Sequence, residues 1–317
     1  MFKKILRFIG LGVLILLVIA GFWIRGLFMG LQHGLQNKFY DYDQASPKIM
    51  VVAIDEKTLG PQALGSLRDW SRENYAKAID ALEAAGVKAI GIDITFPDSG
   101  IGDDALAEAL KANKNVVLAS RYYFENGVSQ VERPNEMLLA DSPTLGLINV
   151  KQDEDGFVRK IPAFFDAGEQ GVIEAFSIAI ARMAGEDVQI PTSTERDGNY
   201  ESNLMYVNYF SEPNGYRQIS LADVLEGKRT DKRGNSVDFK DKIVLIGPTA
   251  IDLQDHYLAP TSAGIKMAGV EIHANAIQTI LERDFLRDQS NAALWITILI
   301  LIAANLALFS WLRVRYA

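Results

Sequence analysis

The sequence contains no cysteine and only three histidines among 317 residues. The first absence excludes disulfides, thiolate metal sites and a cysteine nucleophile. The second leaves little material for a histidine-rich metal centre. Ten prolines and 25 glycines are too few for a collagen-like or low-complexity chain. Positive charge is also short: the net charge is −8, which argues against a nucleic-acid partner, because phosphate contacts need a basic face. Glycine-rich nucleotide loops, His-Glu-x-x-His and Gly-x-Ser-x-Gly do not occur. No cofactor and no catalytic residue are therefore expected.

The two ends of the chain lack acids. Residues 1–25 hold Lys3, Lys4, Arg7 and Arg25, and residues 291–317 hold Arg313 and Arg315. The remainder, 26–290, keeps 26 basic against all 40 acidic residues, a net of −14. Residues 8–24 form a 17-residue uncharged run, and Ile5 and Leu6 extend it to the roughly 20 residues that a bilayer core requires. No Ala-x-Ala site follows, so an uncleaved anchor over 5–25 is expected rather than a signal peptide. A second uncharged stretch of 21 residues, 292–312, has Trp295 and Trp311 near its ends, as headgroup-zone aromatics are placed. Basic residues lie before the first run and after the second. The positive-inside rule then puts both termini, including a short tail at 313–317, in the cytoplasm and 32–290 outside it. An oxidising compartment suits a chain without thiols. Asn305, near Ala303 and Ala307, marks a helix face suited to a second copy, so a homodimer is a plausible state.

The body reads as α/β. KIMVVAI at 48–54, KAIGIDI at 88–94 and NVVLAS at 115–120 are apolar runs of strand length, separated by helical patterns over 71–86 and 103–111. This alternation predicts a mostly parallel sheet with flanking helices and right-handed crossovers. The middle, 121–235, is an elaborated α+β region. It has an Asn126-Gly127 hairpin turn, an apolar helix over 171–184, a strand over 204–210 and a short helix after Ser220. KIVLIG at 242–247 and an amphipathic helix over 269–283 restore the α/β pattern. One N-terminal and one C-terminal transmembrane helix bracket this domain.

Ligands of open α/β sheets bind beyond the carboxyl ends of the strands. Asp55 and Glu56 follow the first strand, Asp93 ends the second, and Asp252, Asp255 and His256 follow the late one. Such carboxylates either cap the next turn, or converge to raise each other's pKa, bind a cation or pair with arginine. Arg72 and Arg159 are the candidate counter-ions. His273 lies on a helix face, where a satisfied structural histidine is the common case. A metal-assisted hydrolase would need Asp55, Asp93, Asp255 and His256 around one point. A scaffold for another protein would need a large exposed apolar patch.

The segments carry a resemblance. IMVVAIDEKTLG and GVKAIGIDITFP within 39–97, DEDGFVRKIP, SLADVLEG, FKDKIVLIGPTA, DHYLAP and MAGVEIHANAIQTIL occur in the order seen in the type-2 CHASE domain (cyclase/histidine-kinase-associated sensory extracellular). The resemblance covers about 39–285. Where that family favours a Trp-Pro-Trp-x-Arg segment, this chain has Leu67-Arg68-Asp69-Trp70-Ser71-Arg72, keeping Trp70 and Arg72 without the prolines. It implies a ligand-sensing module of a bacterial membrane receptor, with an unknown small-molecule or ionic ligand. It also implies a cytoplasmic cyclase or kinase output, which this chain, ending at Ala317, would supply through further sequence or a separate partner. Asp55, Trp70, Arg72, Asp93, Asp255 and His273 are the matching motif positions to test for ligand binding.

Overall fold

A computed structural model describes residues 37–40, 45–126, 128–166, 171–197 and 200–316, with positions 14, 18, 21 and 34. The first expected span, 5–25, otherwise lies outside the described residues. The chain divides into two compact units, Tyr40–Leu286 and the two ends, Met1–Phe39 with Arg287–Ala317.

In Tyr40–Leu286 the strands run β1 (Ile49–Ile54), β2 (Ala89–Ile92), β3 (Val116–Glu125), β4 (Val128–Glu132), β5 (Thr144–Leu147), β6 (Lys151–Gln152), β7 (Val158–Asp166), β8 (Val172–Glu174), β9 (Ser193–Asp197), β10 (Tyr200–Tyr206), β11 (Arg217–Ser220), β12 (Ile243–Pro248), β13 (His256–Tyr257) and β14 (Met267–Ala268). The helices are α1 (Glu73–Glu83), α2 (Asp103–Ala112), α3 (Glu136–Leu139), α4 (Phe176–Met183), α5 (Leu221–Leu225) and α6 (Gly269–Glu282).

The main sheet has the order β11-β1-β12-β2-β3, with β5 parallel to the first half of β3 and β4 antiparallel to its second half. Period-two geometry divides its side chains between two cores. Met50, Val52, Ile54, Ile90 and Ile92 pack with α1, α2 and α5. Ile49, Val51, Ala53 and Ala89 pack with α4 and α6. Both faces are covered, which is why these strands read as unbroken apolar runs. Gly91 lets α4 approach: a Cβ there would lie 2.3 Å from Ile180 Cδ1 and 2.7 Å from Phe176 Cζ.

A second, antiparallel sheet, β6-β7-β10-β9 with β8 on β7, covers the other side of α4 and α6. Val270, Ala274 and Ile277 of α6 meet the main sheet, while Ile272, Ala276 and Ile280 join the core formed with the second sheet. The helix is therefore not half-exposed, as its stripe suggested, but buried all round from Gly269 to Ile280. Its polar side chains bind loops instead of water. Asn275 accepts from Phe210 N at 2.8 Å, Thr279 from Asn208 N at 3.0 Å, and Gln278 from the Tyr216 hydroxyl at 2.8 Å.

Two further expectations change. The helix expected over 171–184 begins only at Phe176, because Val172–Glu174 pairs with Phe164–Asp166 as β8. The strand expected over 204–210 runs instead over Tyr200–Tyr206 as β10, while β11, in a segment where none was expected, forms the sheet edge beside β1.

In the terminal unit the last helix, α7, spans Asn291–Tyr316. Among the described residues no helix is long and apolar enough to cross a membrane. The second expected span, 292–312, falls within α7, and the described residues do not support it as a membrane helix. Asn305 turns its amide onto the Leu301 carbonyl one turn back, at 2.8 Å.

Candidate sensing site

The carboxyl ends of β2 and β12 open on a cavity of about 730 Å³. Asp93 follows β2 and Pro248 ends β12, so the sheet topology places their loops side by side. Asp93, Asp255, Tyr257, His273, Arg121 and Asn149 all line it. Three of the six motif positions thus meet here: Asp93, Asp255 and His273.

Asp93 is 5% exposed, and its Oδ2 has no hydrogen-bond partner among the described residues. Burial, and then the charge of Asp255, push its carboxyl well above the usual range. Burial raises Asp255 too, against the Tyr257 hydroxyl, which donates to it, and the His256 charge. Two carboxylates in one dry site cannot both ionise freely. Gly269 opens α6 directly against Asp255: a Cβ there would lie 2.3 Å from Oδ2. Gly269→Ala should therefore displace the carboxylate and cost about 1–3 kcal/mol by overpacking. Thermal denaturation of the full chain checks this; an unchanged midpoint would mean that Asp255 moves aside freely. His273 is 1% exposed, its ring edge on Phe176. Burial lowers its pKa to about 4, against a hydrogen bond with the Ile148 backbone, and Nδ1 is left without a partner.

The other three positions lie elsewhere. Asp55 Oδ1 accepts from Thr58 N at 3.0 Å, the Thr58 hydroxyl at 2.8 Å and the Ser220 hydroxyl at 2.8 Å, and Lys232 lies 3.2 Å from Oδ2. Burial opposes the charge, but these bonds, Ser220's foremost, leave the carboxyl below its usual value. It is a turn cap joining β1 to β11, and Ser220, expected to cap its own helix, is spent on it.

Trp70 and Arg72 line a second cavity of about 830 Å³, which shares Ile94, Thr95 and Leu253 with the first. Trp70 Nε1 donates to the Gly65 carbonyl at 3.0 Å. Arg72 pairs with Asp103, donates to the Asp98 carbonyl and lies 5.1 Å from the Phe96 ring centroid. It clamps the 98–103 loop rather than balancing the carboxylates of the first cavity. Arg159 is also spent, on Asp153 and Asp155.

The four-residue metal site is thus corrected. Asp55 is committed to its own turn, and among the described residues no group of three or more His, Asp and Glu side chains could hold a metal ion.

The family model of the CHASE2 domain matches residues 13–313. The chain belongs to the CHASE2 family. This is a family of sensory extracellular domains, which fits a sensor role for the chain. No curated protein and no solved structure matches the chain.

Sequence reasoning missed the far wall. Arg121 and Glu132 pair across β3 and β4 (Nη2 to Oε2, 2.9 Å), and Asn149 binds the Tyr122 backbone on both sides, at 2.9 and 2.8 Å. The Asn126-Gly127 turn announced the hairpin, but no local signal showed that β3 runs on from the sheet into it.

Proposed function

We propose that this CHASE2 chain is the sensing part of a bacterial membrane receptor. A small polar or ionic ligand enters the Asp93–Asp255–His273 cavity and shifts the population of the domain between two states. Membrane helices over 5–25 and 292–312 leave the same domain and carry that shift to a cyclase or kinase output in the cytoplasm. Both termini lie on the cytoplasmic side, and Ala303 and Ala307 pack across a two-fold axis in a homodimer. The family supports the sensory role, and the acid-free ends, each with a long uncharged run and basic flanks, support the anchoring. The observation that carries the choice of site is the buried, unpartnered Asp93 carboxylate oxygen in a cavity at the strand ends.

The test is a thermal-shift screen of the full chain in detergent against small polar compounds. A ligand at a hundredfold excess over its Kd stabilises by about 2.7 kcal/mol. Thr95→Trp, which fills the cavity, should abolish the response while the protein stays folded. A response that survives both Thr95→Trp and Asp93→Asn places binding elsewhere and refutes the site. Topology has its own check: a periplasm-active phosphatase fused after Asp288 should be active, whereas a fluorescent fusion there that matures in the cytoplasm contradicts the orientation.

A further inference from the structure

We propose that the ligand of this cavity is a small molecule bearing a primary ammonium group, with N–H donors directed to Asp93 Oδ2 and His273 Nδ1. The inference rests on the reading that this cavity is the sensing site. Both atoms are buried and unpartnered, and both accept hydrogen bonds. The His273 ring hydrogen-bonds the Ile148 backbone, and since Nδ1 has no partner among the described residues that bond falls to Nε2, which leaves Nδ1 its lone pair. An unpaired buried polar group costs about 1–3 kcal/mol, which a ligand rich in donors recovers. A carboxylate, a phosphate or an ether, which brings only acceptors, would find no donor at His273 Nδ1.

Charge favours the same class. Among the described residues Asp93 has no ion-pair partner on the cavity wall, and Arg121, the one Lys or Arg among them that lines it, is paired with Glu132. Asp255 already takes the Tyr257 hydroxyl, so the free acceptor capacity lies with Asp93. Hard divalent cations take six to eight oxygens, and the described residues offer no such group. Tyr122 and Tyr257, also on the wall, supply aromatic surface suited to a cation.

Entry of the ammonium has a proton consequence. The titratable groups that line the cavity with Asp93 are Asp255 and Tyr257 from the 255–257 segment, His273 from α6, and Arg121, Tyr122, Tyr123 and Glu132 from the hairpin. In the empty cavity, burial and the neighbouring carboxylate keep a proton on the Asp93–Asp255 pair. A bound cation releases it, so affinity rises with pH.

The experiment titrates the full chain in detergent with ethanolamine and with putrescine, using glycerol and acetate as controls, by calorimetry and thermal shift. Both amines should raise the melting temperature and the controls should not. The apparent Kd should fall as pH rises, by up to about tenfold per pH unit while the pair still holds its proton, for one proton released. Asp93→Asn should weaken amine binding at least tenfold and flatten that dependence, and Asp255→Asn should flatten it too. Binding retained in Asp93→Asn, or no amine response at millimolar concentration, overturns the inference. If acetate or glycerol binds instead and Thr95→Trp abolishes it, the ligand class is wrong and the sensing site stands. If no compound of any class binds, the site reading fails as well.

Discussion

Arg159→Ala should cost the domain about 3 kcal/mol of stability. Arg159 is 2% exposed, with Nη1 2.6 Å from Asp153 Oδ2 and Nη2 2.8 Å from Asp155 Oδ2, and its guanidinium lies over the Phe157 ring. Removing one member of a buried ion pair costs about 3–5 kcal/mol, because the remaining charge keeps its desolvation without its partner. Here Asp153 and Asp155 remain 20% and 28% exposed, so water reaches them and the lower end of that range applies. At about 2–4 °C per kcal/mol for a domain of this size, the melting temperature of the full chain should fall by about 6–12 °C. Arg159→Met combined with Asp153→Asn and Asp155→Asn should recover most of the loss, since it restores bulk and leaves no unpaired carboxylate. A loss under about 1 kcal/mol for Arg159→Ala would show that the triad behaves as a surface pair. The neighbouring Val158 N donates to the Leu258 carbonyl at 2.8 Å, so this turn also braces the segment that carries Tyr257 to the cavity.

This triad shows what sequence reasoning can and cannot reach. Its acids and its arginine were visible together in DEDGFVR, but whether the arginine served a ligand or its own turn depended on three-dimensional closure. The parallel sheet was legible because both its faces are covered, which gives KIMVVAI, KAIGIDI and KIVLIG their unbroken apolarity. β11 was not, since RQIS carries no pattern of its own and owes its place to its ladder with β1 and to the Ser220 hydroxyl bonding across to Asp55. α6 misled for a related reason. Its polar residues are spaced like a solvent face, yet they bind the 208–216 segment and Ser46 in the interior. At the site, Asp93, Asp255 and His273 were named by motif, but their separation from Asp55 and Arg72 was set by the sheet order, with β12 inserted between β1 and β2.

That buried polar helix leads to the second large effect, a hidden pair of opposed pH dependences. Burial raises Glu271 from 4.5 to about 7, against hydrogen bonds from Asn214 N and the Gln218 amide, while burial lowers His273 from 6.5 to about 4. The folded state therefore binds more protons than the unfolded chain at Glu271 between about pH 4.5 and 7. That contribution is fully present below pH 4.5 and is lost as pH rises through 7. At His273 the folded state binds fewer protons, and its contribution is lost as pH falls from 6.5 through 4. Each shift corresponds to about 3 kcal/mol. In the native chain the two slopes cancel between about pH 4.5 and 6.5. Glu271→Gln should expose the histidine slope, so that stability relative to the native chain falls by about 3 kcal/mol on acidification from pH 7 to 4.5. His273→Gln should do the reverse and gain about as much over the same interval. The remaining titrating groups are common to all three proteins, so denaturation midpoints compared at each pH isolate the difference. Parallel pH profiles for the two variants would rule out the opposed shifts.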